Sequence, residues 1–248
     1  MRQRKRAKHN PKSSLKITVI TLFPEIFEPI LNHSILRRAK EKGLVEFNIV
    51  NHRDFGDGVH KIVDDRPYGG GVGMVLKVDV LAKAITSVKE NIENEVVVLL
   101  DPQGQVYSQK KAEDFSKLNH LILVCGHYEG FDERIREIVD IEISVGDYVL
   151  TGGEIPAMAI TDSVTRLISG VLKDENATRF ESHSDVLGTR ILEGPQYTRP
   201  EEYDGKKVPA VFLSGDPKKI EAYKREMAVE MTKMRRPDLI FDKTNAKS

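Results

Sequence analysis

Between Leu121 and Met158 two short strand-like runs, Leu121–Cys125 and Ile141–Val145, each stop at a glycine. The first continues as Gly126-His-Tyr-Glu-Gly130 and the second as Gly146-Asp-Tyr-Val-Leu-Thr-Gly-Gly153. Pro156 then opens an amphipathic helix. Strand ends that dissolve into glycine-bearing loops are where parallel α/β sheets bind ligands. Two such ends so close in sequence imply one pocket with walls from both.

The rest of the chain supports an α/β sheet. Ile17–Leu22 reads as a strand, and Pro24 can open a helix running to Lys42, with Gly43 as its stop. Val45–Val50 is a second strand, and Asn51–Gly73 a loop long enough to suggest a role. Leu81, Ile85, Val88 and Ile92 recur at helical spacing within Lys77–Ile92. Val96–Leu100 is a buried-type strand, and Gln109–Lys117 a short helix. Strands alternating with helices predict a mostly parallel sheet covered on both faces. After Pro156, Ile160, Val164, Leu167 and Ile168 form one helical face that ends at Gly170. Residues 173–197 lose this periodicity and read as a linker. Ile220, Tyr223, Met227, Met231 and Met234 are spaced for one face of a last helix, so the C-terminal domain is small and mainly helical.

Composition narrows the function classes. No apolar run approaches the roughly 20 residues that span a bilayer, and Met1–Lys16 has no signal-peptide core. Cys125 is the only cysteine, which rules out an internal disulfide and any thiolate metal cluster. A cytoplasmic protein is the simplest reading. Met1–Lys16 holds seven Lys/Arg and no acid, so with a formal net charge of zero the remainder carries −7. A basic arm on an acidic body can contact nucleic acid; a solvated, disordered tail is the plainer alternative.

The loops bear chemistry of low specificity when taken singly. Asp101-Pro-Gln-Gly104 suits a tight turn after Val96–Leu100, exposing backbone groups that can read an adenine edge. Glu129 suits a ribose hydroxyl, an ammonium or a metal ion, and His127 is a candidate base. Asp64-Asp-Arg-Pro-Tyr-Gly-Gly-Gly-Val-Gly-Met74 puts Arg66, a phosphate partner, beside a glycine run. Neither glycine loop has the G-x-G-x-x-G spacing of a dinucleotide site, and no Walker A motif is present. A nicotinamide oxidoreductase is disfavoured on that ground.

Taken together, these residues resemble one family, the bacterial tRNA (guanine-N1)-methyltransferases. The matching pieces run in order: Leu22-Phe-Pro-Glu25, Asp64–Gly71, Leu121–Gly126, Tyr128-Glu-Gly130, Gly146–Leu150, Gly152–Met158, Asp162–Arg166 and Tyr197-Thr-Arg-Pro200. Only Met1–Lys16 falls outside. The resemblance implies transfer of a methyl group from S-adenosylmethionine to N1 of guanine 37 in tRNA, next to the anticodon. It implies a SPOUT-type fold: a mostly parallel sheet with a deep C-terminal trefoil knot, a rare exception to ordinary topology. It also implies a homodimer, and magnesium dependence with Glu129 as the participant.

Carried over by position, the cofactor residues are Leu99, Leu100, Asp101, Pro102 and Gly104 from the first turn, and Gly126, Tyr128 and Glu129 from the second. Ser144, Val145, Gly146, Asp147, Tyr148, Val149, Leu150, Gly152, Gly153 and Pro156 complete the set. The family's guanine-contacting arginine falls on Arg166, and its aspartate general base on Glu181, a departure of one methylene. Asp185 is the nearby alternative. Val72 stands where the family usually has proline. The implied domains are a basic arm 1–16, a cofactor domain 17–172, a linker 173–197 disordered without RNA, and a tRNA-binding domain 198–248 using Arg199, Arg235 and Arg236. Two rivals stay open: a related knotted methyltransferase with another RNA target, and an RNA-binding homologue weakened by loss of the base.

Overall fold

The computed structural model describes residues 14–174, 177–186 and 188–241. The chain divides into two compact units, Met1–Lys173 and Asp174–Ser248.

The first unit is built on five parallel strands: β1 Leu15–Thr21, β2 Val45–Asn51, β3 Glu95–Val106, β4 His120–Cys125 and β5 Ile141–Ser144, in the order β2-β1-β4-β3-β5. Its main helices are α1 Ser34–Glu41, α2 Val78–Val88, α3 Gln109–Phe115 and α4 Glu154–Thr165. All six residues of β4 are buried, as a strand covered on both faces requires. Alternation along it sorts the core. Leu121, Leu123 and Cys125 join Ala157, Ile160 and Val164 of α4 on one face. Ile122 and Val124 meet Leu81, Ala84 and Ile85 of α2 on the other. The expected α/β sheet between helices is therefore present.

Local boundaries differ from expectation in four places. Leu15 and Lys16, read as arm, are the first residues of β1, and Lys16 is tied to Glu90 at 2.6 Å; the arm's residues 1–13 lie outside the described residues. The helix expected from Pro24 to Lys42 is broken into Pro24–Ile26, Glu28–Leu31 and α1. Pro29 lacks the N–H that would join the first two, and His33 is extended. The helix expected to open at Pro156 begins at Glu154, with proline in its first turn. The strand expected to stop at Leu100 runs on to Val106. Leu100 and Gln105 both pair with Ile143, so Asp101–Gly104 is an excursion within a strand, not a turn leading to a helix.

Within the second unit, β6 Ser184–Val186 and β7 Thr189–Ile191, both in the segment read as linker, pair antiparallel. A ribbon of β8 Glu202–Tyr203 and β9 Lys206–Lys207 follows. The long helix α5, Pro217–Arg235, is capped by Asp216, whose side chain accepts from the Lys218 and Lys219 amides. Met234, placed on its apolar face by spacing, is exposed; Ala228 and Thr232 are the buried positions. Thr232 Oγ1 donates to Ala228 O at 2.6 Å and accepts from Leu192 N at 2.8 Å, fastening the segment after β7 to α5. Among the described residues no helix is long and apolar enough to cross a membrane.

Candidate functional site

Three strand ends lie abreast in the sheet. Leu100 of β3 pairs with Cys125 of β4 on one side and Ile143 of β5 on the other. Because all three strands are parallel, their following loops leave from one edge and enclose a cleft of about 270 Å3. Its walls are Leu100–Gln103, Gly126–Phe131, Ile143–Val145 and Tyr148–Gly153, with Pro156 beneath.

Most of the predicted cofactor residues line this cleft: Leu100, Asp101, Pro102, Gly126, Tyr128, Glu129, Ser144, Val145, Tyr148, Val149, Leu150, Gly152, Gly153 and Pro156. Four do not. Leu99 is fully buried and turns to the opposite face of the sheet with Ile122 and Val124, as strand alternation demands. Gly104 lies against the backbone of Glu142 and Ile143, where an added Cβ would come within 2.5 Å. Gly146 takes φ +147 to turn the chain, and the Tyr148 ring packs on it. Asp147 is exposed beside it. Gln103, His127, Gly130, Phe131, Ile143 and Thr151 also line the cleft without having been assigned to it. All but Phe131 neighbour an assigned residue, so the sequence signal for those five was their contiguity.

The floor is polar and tightly built. Gly153 N donates to Gly126 O at 2.8 Å, seating the start of α4 on the end of β4. Glu154, the next residue, is buried, and Thr21 Oγ1 donates to it at 2.8 Å. Burial, then the neighbouring Glu154 carboxylate, pushes the Cys125 thiol well above its usual range, so it stays protonated and inert. Phe23 stands edge-on to His127 with ring centroids 5.0 Å apart, which brings the Leu22–Glu25 motif to the site. His127 Nδ1 is buried without a hydrogen-bond partner.

The rim is held from a distance. Tyr128 has φ +60, an unfavourable conformation for an aromatic residue, next to Gly130. Glu129 N donates to Met74 O at 3.0 Å and Leu76 N to Gly130 O at 3.0 Å. The glycine run before Met74 is thereby docked on the cleft loop, with Gly73 pressed on the Glu129 side chain. Arg66 is exposed on that run.

The proposed catalytic pair is divided between the units. Arg166 follows α4 in the first, its amide bonded to Asp162 O at 3.1 Å. Glu181 lies in the second, at the turn before β6, where its carbonyl accepts from Ser184 N at 3.1 Å. Asp185 Oδ1 accepts from Gly188 N at 2.6 Å. Arg199 and Arg235 are exposed, while Arg236 grips Asp238 at 2.6 Å. Among the described residues no group of three or more His, Cys, Asp or Glu could hold a metal ion. Glu129, the magnesium participant expected from the resemblance, is exposed at the rim of the cleft.

Comparison with known proteins adds an independent line. The family model described as tRNA (Guanine-1)-methyltransferase TrmD matches residues 15–242. A tRNA (guanine-N(1)-)-methyltransferase of Anoxybacillus flavithermus is 52% identical over 228 residues, 91% of each chain. The protein of that name from Dictyoglomus turgidum is 50% identical over 91% of this chain and 90% of its own. That of Bacillus subtilis is 50% identical over 92% of this chain and 93% of its own.

Proposed function

The chain belongs to the tRNA (guanine-1)-methyltransferase family, and from that membership we propose how its residues carry a methyl group from S-adenosylmethionine to N1 of guanine 37. The observation that supports this most is the cleft itself, built where three parallel strand ends stand in register. When bound, S-adenosylmethionine supplies an electrophilic methyl group on sulfonium.

The protein's own residues bind and orient. The Leu100–Gln103 wall offers strand-edge backbone groups to adenine, while Gly126, Gly152 and Gly153 allow close approach to the chain. Tyr128, Val149 and Leu150 supply apolar cover. Asp101, Glu129 and Ser144 in the lining suit a ligand with hydrogen-bonding groups. We read the passage of Gly152–Pro156 against Gly126 as the closure of a deep trefoil knot, and the working form as a homodimer in the cytoplasm.

Neutral guanine is a poor nucleophile at N1, so its proton must leave. Glu181 takes it as general base, and Arg166 stabilises the charge that develops toward O6. Asp185, whose Oδ1 accepts from the Gly188 amide, is the alternative base. No step is routed through a metal.

The test is direct. The pure protein is incubated with labelled S-adenosylmethionine and tRNA transcripts, and the methylated nucleotide is mapped. Label at guanine 37, lost when that base is replaced, is expected. Label at another guanine would move the target, and no incorporation would sink the enzyme reading.

A further inference from the structure

Arg136 joins the start of the excursion that forms the cleft's first wall to the strand on which that excursion finishes. It lies in the single-turn helix Glu133–Glu137, and its side chain is 18% exposed. Its Nη2 donates to Asp101 Oδ2 at 3.3 Å, its Nη1 to Glu142 Oε2, and its Nε to Glu133 Oε2 at 2.9 Å. The three carboxylates are unequal. Asp101 is 8% exposed and Glu142 28%, whereas Glu133 is 82% exposed.

Asp101 begins the excursion, and its other oxygen accepts from Gln103 N at 2.8 Å inside it. Glu142 belongs to β5, and its backbone is what Gly104, at the excursion's end, presses against. One guanidinium therefore ties the start of the wall to the strand on which the wall finishes. Only a planar fork with several donors can do this; an ammonium is a point charge on a flexible stem. Without it, Asp101 is a buried carboxylate lacking its cation, and the wall it anchors is free to shift toward water.

We propose that Arg136 is a positioning residue for the cofactor, holding Asp101–Gly104 in the shape that receives the adenosine end. This rests on reading the cleft as the S-adenosylmethionine site. Arg136 touches no reacting atom, so its loss falls on cofactor binding and not on the methyl-transfer step.

The experiment uses the full chain. Affinities for S-adenosylmethionine and S-adenosylhomocysteine are measured by calorimetry for the parent, Arg136→Met, Arg136→Lys and Glu133→Gln, with KM and kcat for transfer to tRNA. Arg136→Met is expected to weaken both ligands at least tenfold and to raise KM for the cofactor equally, with kcat at saturation within about twofold. Arg136→Lys, which keeps the charge and safeguards folding, should fall between, and Glu133→Gln should stay within twofold of the parent. Unchanged affinity in a folded Arg136→Lys and Arg136→Met overturns the proposal. So does an equal loss in Glu133→Gln, or a loss confined to kcat. A parent that binds neither ligand overturns the reading of the cleft itself, an outcome distinct from a parent that binds beside variants that bind as well.

Discussion

Gly153 donates its amide hydrogen to the carbonyl of Gly126 at 2.8 Å, and a methyl group on Gly153 would stand 2.7 Å from Cys125 Cα. Its φ of −80 suits any residue, so glycine is required here for space alone. Gly153→Ala is expected to force the start of α4 away from β4, costing about 1–3 kcal/mol of stability and at least tenfold in cofactor affinity. Urea unfolding and calorimetry check both; a variant that binds like the parent would detach this seat from the cleft.

Replacing Glu181 with glutamine removes the proposed base while keeping size and polarity. Transfer should fall by a factor of about 100 or more, with cofactor affinity within twofold. Single-turnover kinetics on tRNA read this step. Activity above about a tenth of the parent's, a barrier change of roughly 1.4 kcal/mol, would remove Glu181 from the role.

His52 gives the first unit an acid sensitivity. It is almost fully buried after β2, with Nε2 unpartnered, and burial, then the Arg53 charge, lowers its pKa to about 4. The unfolded chain takes up this proton below about pH 6.5, but the folded chain does so only near pH 4. Stability from this group is therefore complete above pH 6.5 and is lost as pH falls toward 4, roughly 3 kcal/mol in all. Urea midpoints at pH 7 and pH 5 should differ, and His52→Phe should flatten that difference. An equal slope in both proteins would assign the sensitivity elsewhere.

A polar network stands at the opposite end of the sheet, away from the cleft. Thr18 Oγ1 meets His120 Nε2 at 2.8 Å, and His120 Nδ1 meets Glu95 Oε2 at 2.7 Å, all of it buried. Thr18→Val should leave the His120 nitrogen unsatisfied and cost about 1–3 kcal/mol, with cofactor affinity unchanged. Thermal melts and calorimetry separate the two effects, and a change in affinity would contradict a purely structural role.

Removing residues 1–13 tests the basic arm. If it contacts phosphates, tRNA affinity should drop at low salt, and the gap between truncated and full chains should close as salt rises. Equal affinities at every salt concentration would make the arm a solvated tail.

Where the sequence was informative, periodicity and contiguity carried it. The apolar run Leu121–Cys125 read as a strand, and the glycines after it marked the cleft before any geometry was known. The failures have physical causes. Arg136 sits in a charged stretch that reads as solvated surface, and one of its partners, Asp101, lies 35 residues upstream. Thr232 is polar and looks misplaced on an apolar helix face until its bond to Leu192 is seen. The excursion at Asp101–Gly104 looked like a terminal turn because Pro102 and Gly104 signal one, yet pairing with β5 resumes beyond it.

A Cβ added at Gly104 or Gly153 would meet main chain at 2.5 or 2.7 Å, and main chain cannot rotate aside as a side chain can. Every missense change in a glycine codon adds at least a Cβ. In a growing population these two codons are therefore free to drift only silently, while the exposed Val72 nearby can be exchanged at little cost. Saturation mutagenesis scored by growth would mark them as fixed points in the gene, without reference to any chemistry.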